Sequence, residues 1–220
     1  MVNNNYNIDS NLFVIAEDHL LQGENVKIAP SPNIGDYFES GFPDSIILHY
    51  TGMDSSESAL ERLCDPKAEV SAHLLIDRSG IIFQMIPFNR IAWHAGKSSW
   101  KGREGFNRYS IGIELDNAGY LKKTDDGFMS YFGGIYTEDQ VYKLENNNPV
   151  SNEFGTPHVS YAFWHKYSEN QIKTLLDVIR IIVDRYSISL ILGHSDISPG
   201  RKLDPGPAFP MHEIRAKVLS

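Results

Sequence analysis

Residues 168–207 read SENQIKTLLDVIRIIVDRYSISLILGHSDISPGRKLDPGP. Ser168 followed by Gln171 has the form of a capping box, and Ile172, Leu175, Leu176, Ile179, Val183 and Tyr186 behind it recur at helical spacing. This spacing predicts the main core helix, with one apolar face. Ile188 to Leu192 is then a short apolar run, the mark of a buried strand, ending at Gly193-His194. From Gly193 to Pro207 the chain is rich in proline and glycine, so it has little freedom to lose on folding and can hold side chains in a fixed geometry. That loop carries His194 and Asp204, both competent zinc ligands, and Lys202 beside the second of them.

Working outward, Ser45-Ile-Ile-Leu-His-Tyr50 is a second apolar run suited to a buried strand. Asp54 with Glu57 predicts the start of a helix through about Leu63, closed by Cys64-Asp-Pro66. His73 to Asp77 and Ile81 to Ile86 form a predicted hairpin turning at Arg78-Ser-Gly80. Residues 87–108 form a long loop with two tryptophans, and Tyr109 to Asp116 another strand. Residues 117–165 look like an insertion, polar but dense in aromatic residues, and are expected to form a packed lid or groove wall. Residues 1–40 read as an N-terminal arm packed on a single domain, 41–220, which ends in a helix from about Pro210. Strands interspersed with helices give an α/β fold with a central mixed sheet flanked by helices and an insertion after the Tyr109–Asp116 strand.

Composition narrows the function. The chain has 220 residues, 41% of them hydrophobic and 22% charged, which supports a proper core. A net charge of −8 argues against a nucleic-acid binder, which needs a basic face. The single cysteine, Cys64, excludes an internal disulfide framework and a cysteine-rich metal site. No stretch approaches the roughly 20 apolar residues of a membrane span, and the polar, Asn-rich start does not read as a secretory signal. A cytoplasmic setting is therefore favoured, with export by a leaderless route or after removal of a leader as the alternative. No feature fixes an oligomeric state.

His49 stands at the end of one predicted strand and His194 at the end of another, with Asp204 on the rigid loop. Functional groups gather where strands of an α/β sheet end. Two histidines and an aspartate, with a fourth position left to water, match a catalytic rather than a structural zinc site. In the strand YSIGIELD, Ile111, Ile113 and Leu115 share one face, leaving Ser110, Gly112 and Glu114 on the other, where a carboxylate beside a glycine has room to serve as general base and acid. Lys202 is suited to stabilising an oxyanion. His73 falls in a strand interior and reads as structural.

In order and spacing, ILHYTG, VSAHLLIDRSG, AWHAGKSSW, SIGIEL and GHSDISPGRKLDPGPAF resemble the zinc-dependent N-acetylmuramoyl-L-alanine amidases of the amidase-2 family, which are related to T7-type lysozymes and peptidoglycan recognition proteins. The resemblance runs over about residues 40–117 and 166–210. It implies one zinc ion per chain held by His49, His194 and Asp204, with Glu114 as catalytic carboxylate and Lys202 polarising the scissile carbonyl. It also implies that Trp93 and His94 line the muropeptide groove and that Asn107 and Arg108 lie near the substrate. The implied reaction is hydrolysis of the amide between the lactyl group of N-acetylmuramic acid and L-alanine in peptidoglycan or muropeptides. Recycling of soluble muropeptides, action on the wall itself and a non-catalytic peptidoglycan-binding module are the three readings this leaves. His19, His158, His165 and His212 match nothing in the family pattern.

Overall fold

The computed structural model of the protein describes residues 12–144 and 162–219. Its centre is a six-stranded mixed sheet. Leu190–Gly193 lies at one edge, followed by Ser45–Tyr50, Ser110–Leu115, Leu74–Ile76, Ile82–Gln84 and Val26–Ile28. The pairs are parallel except for the hairpin between Leu74–Ile76 and Ile82–Gln84. The segment read as an arm thus supplies the far edge strand, Val26–Ile28, paired with Ile82–Gln84.

The sheet is apolar on both faces, as expected where helices and loops cover a largely parallel sheet. On one side Ile46, Leu48, Ile111, Ile113, Leu115 and Ile191 pack against Ile172, Leu175, Leu176, Ile179 and Ile182 of the helix Glu169–Tyr186. Ser168 caps that helix by accepting from the Gln171 N–H at 3.1 Å. The Gln171 side chain does not close a capping box. It donates to the carbonyls of Ile76 and Asp116, tying the helix start to the sheet. The C-terminal helix Met211–Val218 adds Ile214 and Val218 to the same core. On the other face Ile47 and Leu192 meet Ala95, Phe106 and Ile197, and a separate group under the helix Ser56–Cys64 includes Ala59, Leu63 and Leu75.

That helix starts one residue later than the sequence suggests. Ser55, not Asp54, is the cap, accepting from the Ser58 N–H at 3.2 Å. Asp54 is diverted to the insertion, where it accepts from Ser130 Oγ, the Gly134 N–H and the Tyr136 hydroxyl. The described part of the insertion is a five-stranded sheet ordered Ile135–Tyr136, Gly127–Met129, Tyr120–Thr124, Phe163–His165 and Val141–Lys143. It buries its own small cluster of Ala118, Leu121, Phe128 and Val141. The rest of the insertion, with the Asn triplet at 146–148 and His158, lies outside the described residues, as do residues 1–11 of the arm.

A candidate metal centre in an open cavity

Three neighbouring parallel strands bring the site together. His49 is paired in register with Glu114, and the Leu190–Gly193 strand delivers His194 immediately after its end. Both His49 and Glu114 point to the face opposite the long helix, because Ile46, Leu48, Ile113 and Leu115 occupy the helix side. The loop after Gly193 folds back so that Asp204 joins them. His49 Nδ1 and His194 Nδ1 are 2.9 Å apart, and Asp204 Oδ2 is 2.9 Å from the first and 3.0 Å from the second. All three residues are buried.

The ring partners fix the protons. His194 Nε2–H donates to the Ala95 carbonyl at 3.1 Å. The Arg201 Nη2 nearby, 3.3 Å from that nitrogen, spends its protons on closer acceptors, the Ala95 and Lys97 carbonyls and Ser198 Oγ. On the other ring, His49 Nε2 faces His94 Nδ1 at 3.0 Å. The Nε2–H of His94 is taken by the Ser110 carbonyl at 3.2 Å, so its Nδ1 accepts and His49 Nε2 donates. Both ligand-side Nδ1 atoms are therefore bare lone pairs, converging with a carboxylate oxygen on one buried point. Three acceptors without a proton between them repel until a cation sits among them. Two imidazoles and one carboxylate, with a further position open to the cavity, fit a zinc ion.

The electrostatics agree. Burial, then the neighbouring His194 ring, pushes His49 down to about 4 despite Asp204, keeping the ring neutral and able to ligate. Burial alone would raise the Asp204 carboxyl, but the adjoining His194 and His49 imidazoles outweigh it and hold it well below the usual carboxylate range. Glu114 goes the other way. Burial and the Asp204 charge raise it to about 8, against the opposing pull of Lys202. Its Oε2 is shielded from solvent with no hydrogen-bond partner, an acceptor awaiting a ligand or water.

Glu114, Lys202, Trp93 and His94 share with the three ligands a cavity of about 390 Å³. Met53 and Arg62, which no sequence feature singled out, also line it. The structure does not bring Asn107 or Arg108 into this cavity. Asn107 is turned the other way, its Oδ1 accepting from the backbone N–H groups of His94 and Ala95. Arg108 is exposed, over the ring of Tyr109, and faces a separate hollow with Glu104 and Lys97. Nor does any described residue of the insertion line the cavity. Some of its aromatic residues turn inward, Phe128 onto Phe163 and Tyr136 onto His165, while Trp164 packs against Gly206 of the ligand-bearing loop and Tyr131 and Phe132 stay exposed. His73 uses both ring nitrogens on the backbone, donating to the Arg90 carbonyl and accepting from the Gly112 N–H.

Fold and site together define an α/β domain with a candidate metal-binding triad, His49, His194 and Asp204, at the carboxyl ends of its parallel strands. The chain belongs to the amidase-2 family, described as N-acetylmuramoyl-L-alanine amidase, whose pattern matches residues 39–207. It is similar to the N-acetylmuramoyl-L-alanine amidase AmiD of Escherichia coli (strain K12), 30% identical over 178 residues, which cover 77% of this chain and 51% of AmiD. It is also similar to the 1,6-anhydro-N-acetylmuramyl-L-alanine amidase AmpD of the same organism, 34% identical over 68% of this chain and 58% of AmpD. The chain thus spans little more than half the length of these relatives. A crystal structure of a selenomethionine AmpD derivative matches with a TM-score of 0.63 at 28% identity, covering 93% of this chain and 99% of that one. The complex of E. coli AmiD with anhydro-N-acetylmuramic acid-L-Ala-D-γ-Glu-L-Lys matches with a TM-score of 0.56 at 26% identity, over 94% of this chain and 66% of that one. Among the described residues no helix is long and apolar enough to cross a membrane.

Proposed function

We propose that this chain is a zinc-dependent amidase that cleaves the bond between the lactyl group of N-acetylmuramic acid and the L-alanine of the stem peptide. The observation that carries the reading is the convergence of three unprotonated donors beside a partnerless, buried glutamate oxygen in one open cavity. His49, His194 and Asp204 hold the ion. Zinc, when bound, would supply Lewis acidity, lowering the pKa of a water towards neutrality. Glu114 accepts the proton of the attacking water and returns it to the leaving alanine nitrogen. A carboxyl raised to about 8 before any cation is present is suited to both halves of that exchange near neutral pH. Lys202, which lines the same cavity, supplies an ammonium to stabilise the negative charge that grows on the carbonyl oxygen.

Soluble anhydro-muropeptides are the proposed substrates, with a cytoplasmic recycling role. Support comes from the names of the relatives, AmpD as a 1,6-anhydro-N-acetylmuramyl-L-alanine amidase and AmiD bound to an anhydro-muropeptide. A non-catalytic binding module has no use for the full set of ligands together with Glu114 and Lys202. The test is Glu114→Gln, assayed for zinc content and for release of peptide from an anhydro-muropeptide. Turnover is expected to fall by about 10²–10⁴ with zinc retained. Undiminished turnover with zinc bound removes Glu114 from its role, and absence of cleavage by the wild type with zinc bound favours the binding module.

A further inference from the structure

The two histidine ligands are oriented from behind by consecutive residues of one loop. His49 Nε2–H donates to the side chain of His94, at 3.0 Å, and His194 Nε2–H donates to the carbonyl of the next residue, Ala95, at 3.1 Å. A single atom, Asn107 Oδ1, in turn accepts the backbone N–H of both, at 3.1 Å from His94 and 2.7 Å from Ala95. Asn107 is itself held in a short turn, Phe106–Arg108, whose first N–H donates to Ser98 Oγ at 3.0 Å. The His94 ring is anchored on the Ser110 carbonyl and lies flat against Gly112. A Cβ built at residue 112 would stand 2.4 Å from His94 Cγ, closer than any real contact allows.

We propose that His94 and Ala95 form a bracket, locked by Asn107 and given room by Gly112, that orients both histidine ligands and so sets the metal affinity of the site. This rests on the zinc reading above. It gives Asn107 a positioning role in place of the substrate contact expected from the sequence, and gives His94 a role towards His49 in addition to its place on the cavity wall. It also explains why the glycine beside Glu114 stands inside a central strand, where a glycine marks close approach of another group. Outer partners of metal-bound histidines fix ring orientation and tautomer, and their loss typically weakens metal binding about 10- to 100-fold.

The test is the zinc dissociation constant, measured by chelator competition on the folded, metal-stripped protein, with the cobalt-substituted absorption spectrum as a second readout of ligand geometry. Asn107→Leu removes the shared acceptor and is expected to weaken zinc binding about 10- to 100-fold and alter the cobalt spectrum. Asn107→Asp keeps an acceptor oxygen and is expected to stay within about threefold of the wild type. Gly112→Ala, which displaces the His94 ring without touching Asn107, is expected to act in the same direction as Asn107→Leu and serves if that variant does not fold. Wild-type affinity in Asn107→Leu or Gly112→Ala, or an equal loss in Asn107→Asp and Asn107→Leu, overturns the bracket. A wild-type protein that takes up no zinc overturns the metal reading itself.

Discussion

The strand-end site and the insertion of residues 117–165 sit side by side and are built on opposite plans. The site takes single residues from distant parts of the chain, His49, Glu114, His194 and Asp204, and the parallel register of three strands fixes their meeting point. The insertion is local. Its described strands pair almost wholly among themselves around their own cluster, and it reaches the rest of the molecule through a few contacts such as Asp54 with Ser130 and Trp164 with Gly206. Chemistry constrains the first region, because only a few residue types hold a metal or move a proton. Packing around its own cluster constrains the described part of the second, and many sequences satisfy it. The site should therefore be intolerant in function, and the insertion tolerant in function with local structural cost.

The largest effect belongs to Asp204→Ala, which leaves two lone pairs facing an emptied corner. Zinc content by elemental analysis is expected to collapse, and amidase activity with it; full zinc occupancy in that variant removes Asp204 from the ligand set. Next is Lys202→Ala, expected to lower turnover by about 10²–10³ while zinc stays bound. A merely raised KM with unchanged kcat would assign Lys202 to binding instead.

A smaller effect concerns acid stability, with His73, which does not line the cavity, and His165 of the insertion as probes. Burial holds the His73 ring down to about 4 and the His165 ring down to about 3, so both stay neutral in the folded protein where the unfolded chain, at 6.5, takes up a proton. Between those limits the unfolded state binds more protons, and the stability these rings contribute at neutral pH is lost as pH falls from 6.5 towards 4. For His73 the shift corresponds to roughly 3 kcal/mol, at about 1.36 kcal/mol per unit. Urea unfolding across this range should show a shallower pH slope in His73→Asn than in the wild type, and an unchanged slope would refute the neutral buried ring. The smallest effect is Asp54→Ala. It frees the loop from Ser130 to Gly134 at about 1 kcal/mol per lost hydrogen bond, which faster amide exchange there would report, with kcat/KM on muropeptide near the wild-type value. A loss as deep as that of Lys202→Ala would erase the contrast between the two regions.

The long helix, the buried strands and the hairpin at Arg78–Gly80 were legible because apolar periodicity, β-rich runs and turn residues act over short spans of chain. The convergence of His49, His194 and Asp204 was legible because their residue types and the stiff loop point to shared chemistry. Asp54 misled, since a residue with the look of a helix cap found three better donors in a segment over 70 residues away. The hydrogen bonds of Asn107 were not legible for a related reason, as its one oxygen serves two backbone groups that its neighbours in sequence do not identify.

By itself, then, the sequence determined the mixed α/β architecture, the metal-binding residue types and the glutamate and lysine that accompany them. Tertiary structure alone decided which tautomer His49 and His194 adopt, that Asn107 turns to the backbone of His94 and Ala95 while Arg108 lies outside the cavity, and that the described part of the insertion meets the Asp204 loop through Trp164 without lining the cavity. These are matters of direction and of partners far apart in the chain. Hydrogen bonds and close packing are specified by where atoms stand in space, and residue order constrains them only through the completed fold.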